Sequence, residues 1–199
     1  EARYSHTLLL NNDMVLEQGF FPPLVNAFAS VPGLFCATAQ IFFPPGERRQ
    51  ETGKAIFRAH APHAEFPLWC NTPVDGETHS YVLYGSGGCS LYDTRKLRQL
   101  GGLGEMFTPA YVEDLDVGYR AWVRGWPTVY VDGARLTHYH QTTTSRYFSE
   151  LDIRVAVEVN YLRFLARSVA SPALFRELWR KAICRLNLNA AQEPPPPWA

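Results

Sequence analysis

The chain has 199 residues, 46% of them hydrophobic, and its 19 basic and 19 acidic side chains cancel to a formal charge of zero. This length is typical of a single domain, and the hydrophobic content lies well above that of disordered chains. The charge balance argues against a nucleic-acid-binding protein, which usually carries a net basic surface. An anionic ligand would therefore depend on a metal ion or on a few well-placed cations.

The cysteine pattern indicates the cellular compartment of the protein, and the first residues indicate how much of the fold the chain contains. Four cysteines occur without CxxC spacing, at Cys36, Cys70, Cys89 and Cys184. This pattern favours buried, reduced thiols in a cytoplasmic protein. Neither a signal peptide nor a membrane-spanning apolar run is present in the sequence. The first residues run at once into a strand pattern, so we expect the chain to begin partway through a larger fold.

In the first part of the chain, short apolar runs predict two strands. One covers residues 7–10 and ends at Asn11-Asn12-Asp13, and the other covers residues 35–43. Between them, apolar residues at helical spacing predict a helix over residues 17–30. The stretch 47–78 gives no clear pattern.

The second part of the chain alternates strands with helices, which favours an α/β sheet. Helices are expected to end at Gly101 and Gly125, and a turn is expected at Asp132-Gly133. The predicted strands are 81–83, 128–131 and 136–140. The predicted helices are 93–100, 114–124, 150–166 and 171–186.

The first candidate site is Asn11-Asn12-Asp13, directly after a buried strand. Ligands in α/β sheets gather at the carboxyl ends of strands, and a carboxylate there suits Mg2+ or Mn2+. The alternative is an ordinary turn, because Asn and Asp are favoured in turns for capping alone.

The second candidate site lies at the start of the helix over residues 114–124, where Glu113, Asp114 and Asp116 crowd together. Like charges this close repel, and Asp116 is spaced to pair with Arg120 one turn later. Glu113 and Asp114 would then be available to take a proton from a hydroxyl. The alternative is simple stabilisation of the helix dipole by acidic residues.

Two further features are weaker. Gly87 and Gly88 belong to a glycine-rich turn that would let a ligand approach the backbone, or that is only a turn. His138 and His140 share one side of a predicted strand, where either could bind a metal or form a hydrogen bond near the surface.

Taken in order, these segments resemble the family 2 glycosyltransferases. The resemblance covers residues 7–167 except 47–78. It is carried by the first strand with its Asn11-Asn12-Asp13 and by GGCSLYDTRKL, LGGLGEMF, VEDLDVGYRAWVRGW and VYVDGARLTH. It implies an α/β GT-A fold: a mixed central sheet flanked by helices, here without the N-terminal nucleotide-binding strands. It also implies a catalytic portion over 1–150, C-terminal helices packed on it over 151–190, and a proline-rich tail over 191–199.

The resemblance implies a role for each matching residue. Asp13 would bind Mn2+ or Mg2+ on the diphosphate, with His138 as the second ligand and His140 as the weaker candidate. Asp114 would be the catalytic base, and the preceding Glu113 would position the acceptor. The residues expected around donor and acceptor are Asn11, Asn12, Gly87, Gly88, Asp116 and Arg120.

The implied reaction is an inverting transfer from a nucleotide-diphosphate sugar to a hydroxyl of a glycan or lipid-linked acceptor, as in polysaccharide and cell-wall synthesis. One rival is a non-catalytic sugar-nucleotide-binding fragment of the same fold, and another is a metallohydrolase that uses Asp13, Asp114 and His138. A third is an interaction module whose last helix lies on a cytoplasmic membrane face or packs on the catalytic domain. The cations of that helix are Arg176, Arg180, Lys181 and Arg185.

Overall fold

The computed structural model describes residues 3–44, 49–50, 53–54, 68–69, 78–139 and 148–191. The chain divides into two compact units. The first comprises Glu1–Leu103 and Asp114–Thr142, and the second comprises Gly104–Glu113 and Thr143–Ala199. The division predicted at residue 150 stays a prediction.

The first unit is built on a mixed sheet. The strands described in this unit are β1 His6–Leu10, β2 Met14–Leu16, β3 Cys36–Phe42, β4 Arg49–Gln50, β5 Gly53–Lys54, β6 Leu68–Trp69, β7 Ser80–Val82, β8 Cys89–Asp93 and β9 Thr128–His138. In the described part of the chain the main strand order of the sheet is β1-β8-β3-β9-β2, with β4 beside β3 and β7 beside β9. β3 and β9 run parallel, and the other pairs are antiparallel. β5 and β6 form a separate two-stranded sheet.

Helices complete both units. Those that contribute to the first unit are α1 Phe21–Ser30, α2 Thr94–Gln99 and α3 Glu113–Val123, of which Glu113 itself belongs to the second unit. The second unit holds a 3-10 helix, Glu105–Phe107, and two long helices, α4 Glu150–Ser168 and α5 Pro172–Ala190. The predicted α/β class and the mixed central sheet flanked by helices are confirmed.

The helix predicted over residues 17–30 begins later than expected. Met14–Leu16 forms β2, which pairs with β9, and α1 starts only at Phe21, with Pro22 and Pro23 in its first turn. Proline suits the first turn of a helix because its missing N–H has no partner to lose there. Pairing with β9 is a long-range contact, so local periodicity could not reveal it.

The turn predicted at Asp132-Gly133 is wrong, because β9 continues through these residues. Instead, the pairing register between β3 and β9 shifts between Thr38 and Gln40, and Gly133 has φ +93°. Such a bulge changes which residues face each side of a sheet. Val129 lies in the core before it, Leu136 lies in the same core after it, and His138 therefore shares the side of Leu136.

Apolar clusters cover both faces of the sheet. The cluster beneath α1 contains Leu24, Ala37, Ile41, Leu91 and Leu136, among others. The cluster on the opposite face contains Phe35, Cys36, Tyr92, Val117 and Ala121. Along β3 the two sets alternate, which places Thr38 and Gln40 on the same face as Cys36.

The cysteine prediction is partly confirmed. Cys36 and Cys89 are buried free thiols, and burial raises the pKa of each to about 12. They are therefore unreactive packing residues. Cys184 is exposed, contrary to the prediction, and Cys70 lies outside the described residues.

Helix α3 comes unusually close to the segment that follows β7. A Cβ atom placed on Gly118 would lie 2.5 Å from the carbonyl oxygen of Leu83 and 2.7 Å from Cα of Tyr84. Both are backbone atoms that a rotamer change cannot move. Trp122 on the same helix donates its indole N–H to the carbonyl of Val82, 2.9 Å away.

We expect Gly118→Ala to lower the free energy of unfolding by about 1–3 kcal/mol, because the helix must shift to admit one methyl group. Urea denaturation of the purified chain measures this change. The matched control is Val123→Ala on the same helix, where the side chain is 68% exposed. Equal stability of the two variants would contradict the close approach.

The second unit is held by its two long helices. α4 begins with a capping box in which Ser149 and Asp152 exchange hydrogen bonds. Arg185 on α5 pairs with Glu158 on α4 at 2.6 Å and lies over the ring of Tyr161. Among the described residues, no helix has both the length and the apolar character needed to cross a bilayer.

Candidate active site

Asp13 and His138 meet at the edge of the sheet where β9 ends. His138 Nε2 lies 3.3 Å from Asp13 Oδ1, and both side chains are largely buried. The pairing of Met14 with His138, together with the hydrogen bond from Tyr139 N to the Asp13 carbonyl (2.9 Å), brings the two residues side by side. Phe43 stacks on the imidazole at a centroid distance of 5.7 Å.

This pair has the donor chemistry of a divalent cation site. A carboxylate oxygen and an imidazole nitrogen both suit Mn2+, and Mg2+ is usually held by one or two carboxylates together with substrate phosphates. The described residues contain no group of three or more His, Cys, Asp or Glu side chains that could hold a metal. Two side chains would leave the other positions around a cation to water and a bound phosphate, and metal binding by Asp13 and His138 stays a prediction.

The glycine-rich turn lies against the segment that carries Asp13. Asn11 N donates to the carbonyl of Gly88 at 2.8 Å. A Cβ atom on Gly88 would lie 2.5 Å from Met14 Cε, so this position has room only for glycine or a shifted methionine. Asn11 and Asn12 are themselves exposed, at the same edge of the sheet.

Buried hydroxyl groups on β3 and β8 form hydrogen bonds with the glycine-rich turn. Ser86 N donates to Thr38 Oγ1 at 3.0 Å, and Ser90 Oγ donates to the Ser86 carbonyl at 2.8 Å. Ser90 Oγ and Thr38 Oγ1 also lie 2.9 Å apart, within hydrogen-bond distance. The backbone of the turn is therefore held by two hydrogen bonds, one to Thr38 on β3 and one to Ser90 on β8.

Asp114, near the start of α3, forms a hydrogen bond with the glycine-rich turn. Its carboxylate accepts hydrogen bonds from Gly87 N at 3.1 Å and from Leu115 N at 2.8 Å. Burial raises the pKa of Asp114, and these backbone hydrogen bonds partly oppose the rise because they favour the charged form. A carboxylate with a raised pKa is a better proton acceptor than an ordinary one.

A short series of contacts joins these predicted residues. Asp114 contacts Gly87, Gly88 contacts Asn11, and Asp13 contacts His138. All of them belong to the first unit. The structure thus connects the predicted base to the predicted metal ligands through one turn.

Asp116 and Arg120 form the ion pair that their spacing predicts. Arg120 Nε lies 2.7 Å from Asp116 Oδ2, and the Asp116 side chain is fully buried. The guanidinium also donates to the carbonyls of Leu100 and Gly102. The pair therefore holds the turn after α2, and contact with donor or acceptor stays a prediction for both residues.

The remaining predicted residues are less informative. Glu113 begins α3 and falls in the second unit, where it is half-buried and contributes to the raised pKa of Tyr111, whose main cause is burial. Its acceptor role stays a prediction. His140 lies outside the described residues.

Two residues were missed from the sequence: Thr38, whose hydroxyl supports the glycine-rich turn, and the buried polar residue Gln40 on the same strand. Gln40 is only 6% exposed, and its side-chain oxygen makes no hydrogen bond within the described ranges. Its signal was a polar residue inside the apolar strand Cys36–Phe42. Such a residue is expected to satisfy a structural or ligand partner.

The architecture defines the fold class of the chain. The fold is that of GT-A glycosyltransferases, and a crystal structure of GalNAc-T7 with UDP, GalNAc and Mn2+ matches it with a TM-score of 0.55 at 14% sequence identity. The match covers 81% of this chain and 31% of that one, so this chain spans about a third of that protein's length.

The family follows from the sequence itself. Residues 1–156 match the model of the glycosyltransferase-like family 2, and the chain belongs to this family. The resemblance drawn from its motifs is therefore confirmed. Comparison with curated proteins finds no significant match.

Proposed function

We propose that this chain carries the catalytic part of an inverting, metal-assisted glycosyltransferase. It would transfer a sugar from a nucleotide-diphosphate donor to a hydroxyl of a glycan or lipid-linked acceptor. One observation carries the proposal: the Asp114 carboxylate accepts a hydrogen bond from Gly87, in the turn that contacts the segment bearing Asp13, and Asp13 in turn lies against His138 on β9. Family membership supports transfer of a glycosyl group.

Asp13 and His138 would hold Mn2+ or Mg2+, consistent with the Mn2+ named for GalNAc-T7. When bound, the cation would neutralise charge on the leaving diphosphate. Gly88 lets the turn pack closely against the segment that carries Asp13, because a Cβ atom there would lie 2.5 Å from Met14 Cε. Because the chain has no net charge, the negative charge of the diphosphate would depend on this local cation for neutralisation.

Asp114 would act as the general base. Its carboxylate would take the proton of the acceptor hydroxyl while that oxygen forms a bond to the anomeric carbon. The bond from the anomeric carbon to the diphosphate oxygen would break on the opposite face, so one displacement inverts the configuration. The hydrogen bonds from Gly87 and Leu115 would orient the carboxylate before reaction.

We expect His138→Ala to weaken Mn2+-dependent nucleotide binding at least about 10–100-fold, because losing a residue that only supports a metal ligand already has an effect of this size. Isothermal titration with UDP, GDP and dTDP, each with and without Mn2+, measures this effect. His6→Ala is the matched control, because His6 contacts Phe28 on α1. Equal Mn2+ dependence in the two variants would exclude His138 as a ligand.

A donor screen separates the competing functions. The intact protein is incubated with nucleotide-diphosphate sugars and Mn2+, with and without glycan acceptors. Product that requires an acceptor supports the transferase. Acceptor-independent release of sugar supports the metallohydrolase, and binding without turnover supports the non-catalytic alternative.

Attachment to a cytoplasmic membrane face through α5 also stays a prediction. Arg176 and Arg180 are exposed on this helix. Lys181 pairs with Glu177, and Arg185 pairs with Glu158. Half of the helix's predicted basic face is thus already engaged with carboxylates.

A further inference from the structure

Asn160 lies on α4 with its side chain fully buried. Its amide nitrogen donates to three backbone carbonyls, those of Phe107 at 2.9 Å, Ala110 at 3.0 Å and Tyr111 at 3.1 Å. An amide has two N–H hydrogens, so these bonds are shared among three acceptors. One side chain thus donates hydrogen bonds to the backbone carbonyls of three residues in the same loop.

The amide oxygen of Asn160 is held as well. Arg163 Nη1, one turn later on the helix, donates to Asn160 Oδ1 at 3.0 Å and to the Met106 carbonyl at 3.0 Å. This second contact fixes which end of the amide faces the loop. All of these groups lie in the second unit.

The loop that Asn160 holds has an uncommon backbone. Tyr111 has φ +74° and Val112 has φ +77°, two consecutive left-handed residues that are not glycine. For a β-branched residue such as Val112 this conformation is a clear outlier. Such strain persists only where the surroundings enforce it, and it is concentrated at functional sites.

The strained residues lead directly into the acidic motif. Val112 is followed by Glu113, the first residue of α3, and then by Asp114. A loop in a relaxed conformation would bring the chain into α3 along a different path. The backbone that Asn160 holds therefore determines how the chain enters Glu113.

We infer that Asn160 is a positioning residue: its buried amide enforces the left-handed conformation of Tyr111 and Val112 and thereby sets the backbone conformation that leads into Glu113. The expected effect on turnover rests on the proposed function and on the predicted role of Glu113 in positioning the acceptor. A purely structural asparagine would stabilise the second unit without a selective effect on turnover.

The test is Asn160→Asp in the intact protein, with Asn187→Asp on the exposed side of α5 as the matched control. Aspartate has the same shape but presents an acceptor to three carbonyls. Hydrogen exchange in the peptide covering residues 107–113 is expected to accelerate at least tenfold, with residues 86–93 unchanged. Turnover is expected to fall at least tenfold, while Mn2+-dependent nucleotide affinity stays within twofold.

A second variant keeps the test informative if Asn160→Asp does not fold. Arg163→Met alters an exposed side chain and removes the hydrogen bond to the Asn160 amide oxygen. The same local exchange and kinetic changes are expected at smaller size. Unchanged exchange over residues 107–113, or a rise throughout the chain, would overturn the inference. So would faster local exchange with wild-type turnover.

The proposed function and this inference can fail separately. If the wild-type protein transfers sugar from no donor in the screen, the glycosyltransferase proposal fails. The hydrogen-exchange comparison needs no turnover. It alone then decides whether Asn160 holds the loop that enters Glu113.

Discussion

Asp114→Asn is expected to lower kcat by about 10²–10⁴-fold, the usual contribution of a positioned general base. Asparagine has the shape of aspartate, and its oxygen can still accept a hydrogen bond from Gly87 or Leu115. It cannot accept the proton of the acceptor hydroxyl. Nucleotide affinity should be unchanged, because Asp114 is not one of the two proposed metal ligands.

The control for this variant is Asp132→Asn, which makes the same charge change on an exposed part of β9. Initial rates with the donor found in the screen, and nucleotide titrations, measure the two effects separately. If Asp114→Asn turned over at the rate of Asp132→Asn, Asp114 would not be the base.

The pH dependence of the wild-type enzyme gives a second measure of the same residue. Only the ionised carboxylate can accept a proton, so kcat should rise as pH increases through the pKa of Asp114. Burial raises this pKa, which places the rise above the range of an ordinary carboxyl group. Asp114→Asn should remove this rise from its residual activity.

Arg120→Met is expected to lower the free energy of unfolding by about 3–5 kcal/mol, as is usual when one partner of a buried ion pair is removed. The Asp116 side chain has no exposed surface, so its charge would lose the cation that compensates it. The carbonyls of Leu100 and Gly102 would also lose a donor. Urea denaturation with far-UV circular dichroism measures the loss.

Arg95→Met is the matched control, because Arg95 is exposed on α2. Arg120→Lys tests the geometry: it keeps the charge but cannot reproduce the fork of donors, so its loss of stability should be intermediate. A loss in Arg120→Met no larger than in Arg95→Met would show that the pair contributes little.

Local signals in the sequence predicted much of the first unit. The apolar runs of β1 and β3 and the acidic start and glycine stop of α3 were each visible within about ten residues. Patterns of this kind depend on local propensity and on burial of one face, so a single segment suffices to reveal them. The motifs around Asp13 and Asp114 likewise identified the family and its candidate residues.

The contacts that build the site were decided only by the tertiary structure. β2 was missed because three residues carry too little periodicity, yet its pairing with β9 brings Asp13 beside His138. The bulge that places Leu136 and His138 on the same side as Val129 depends on pairing with β3, and the sequence alone suggested a turn there.

Asn160 shows the same difference between what the sequence predicted and what only the tertiary structure decided. Its helix was predicted, but its three carbonyl partners lie about fifty residues earlier in a loop without sequence periodicity. Local composition predicted most of the strands and helices and the residues that are candidates for the chemistry. Only the folded chain determined which of them touch, because hydrogen bonds between distant residues depend on the packing of all the elements between them.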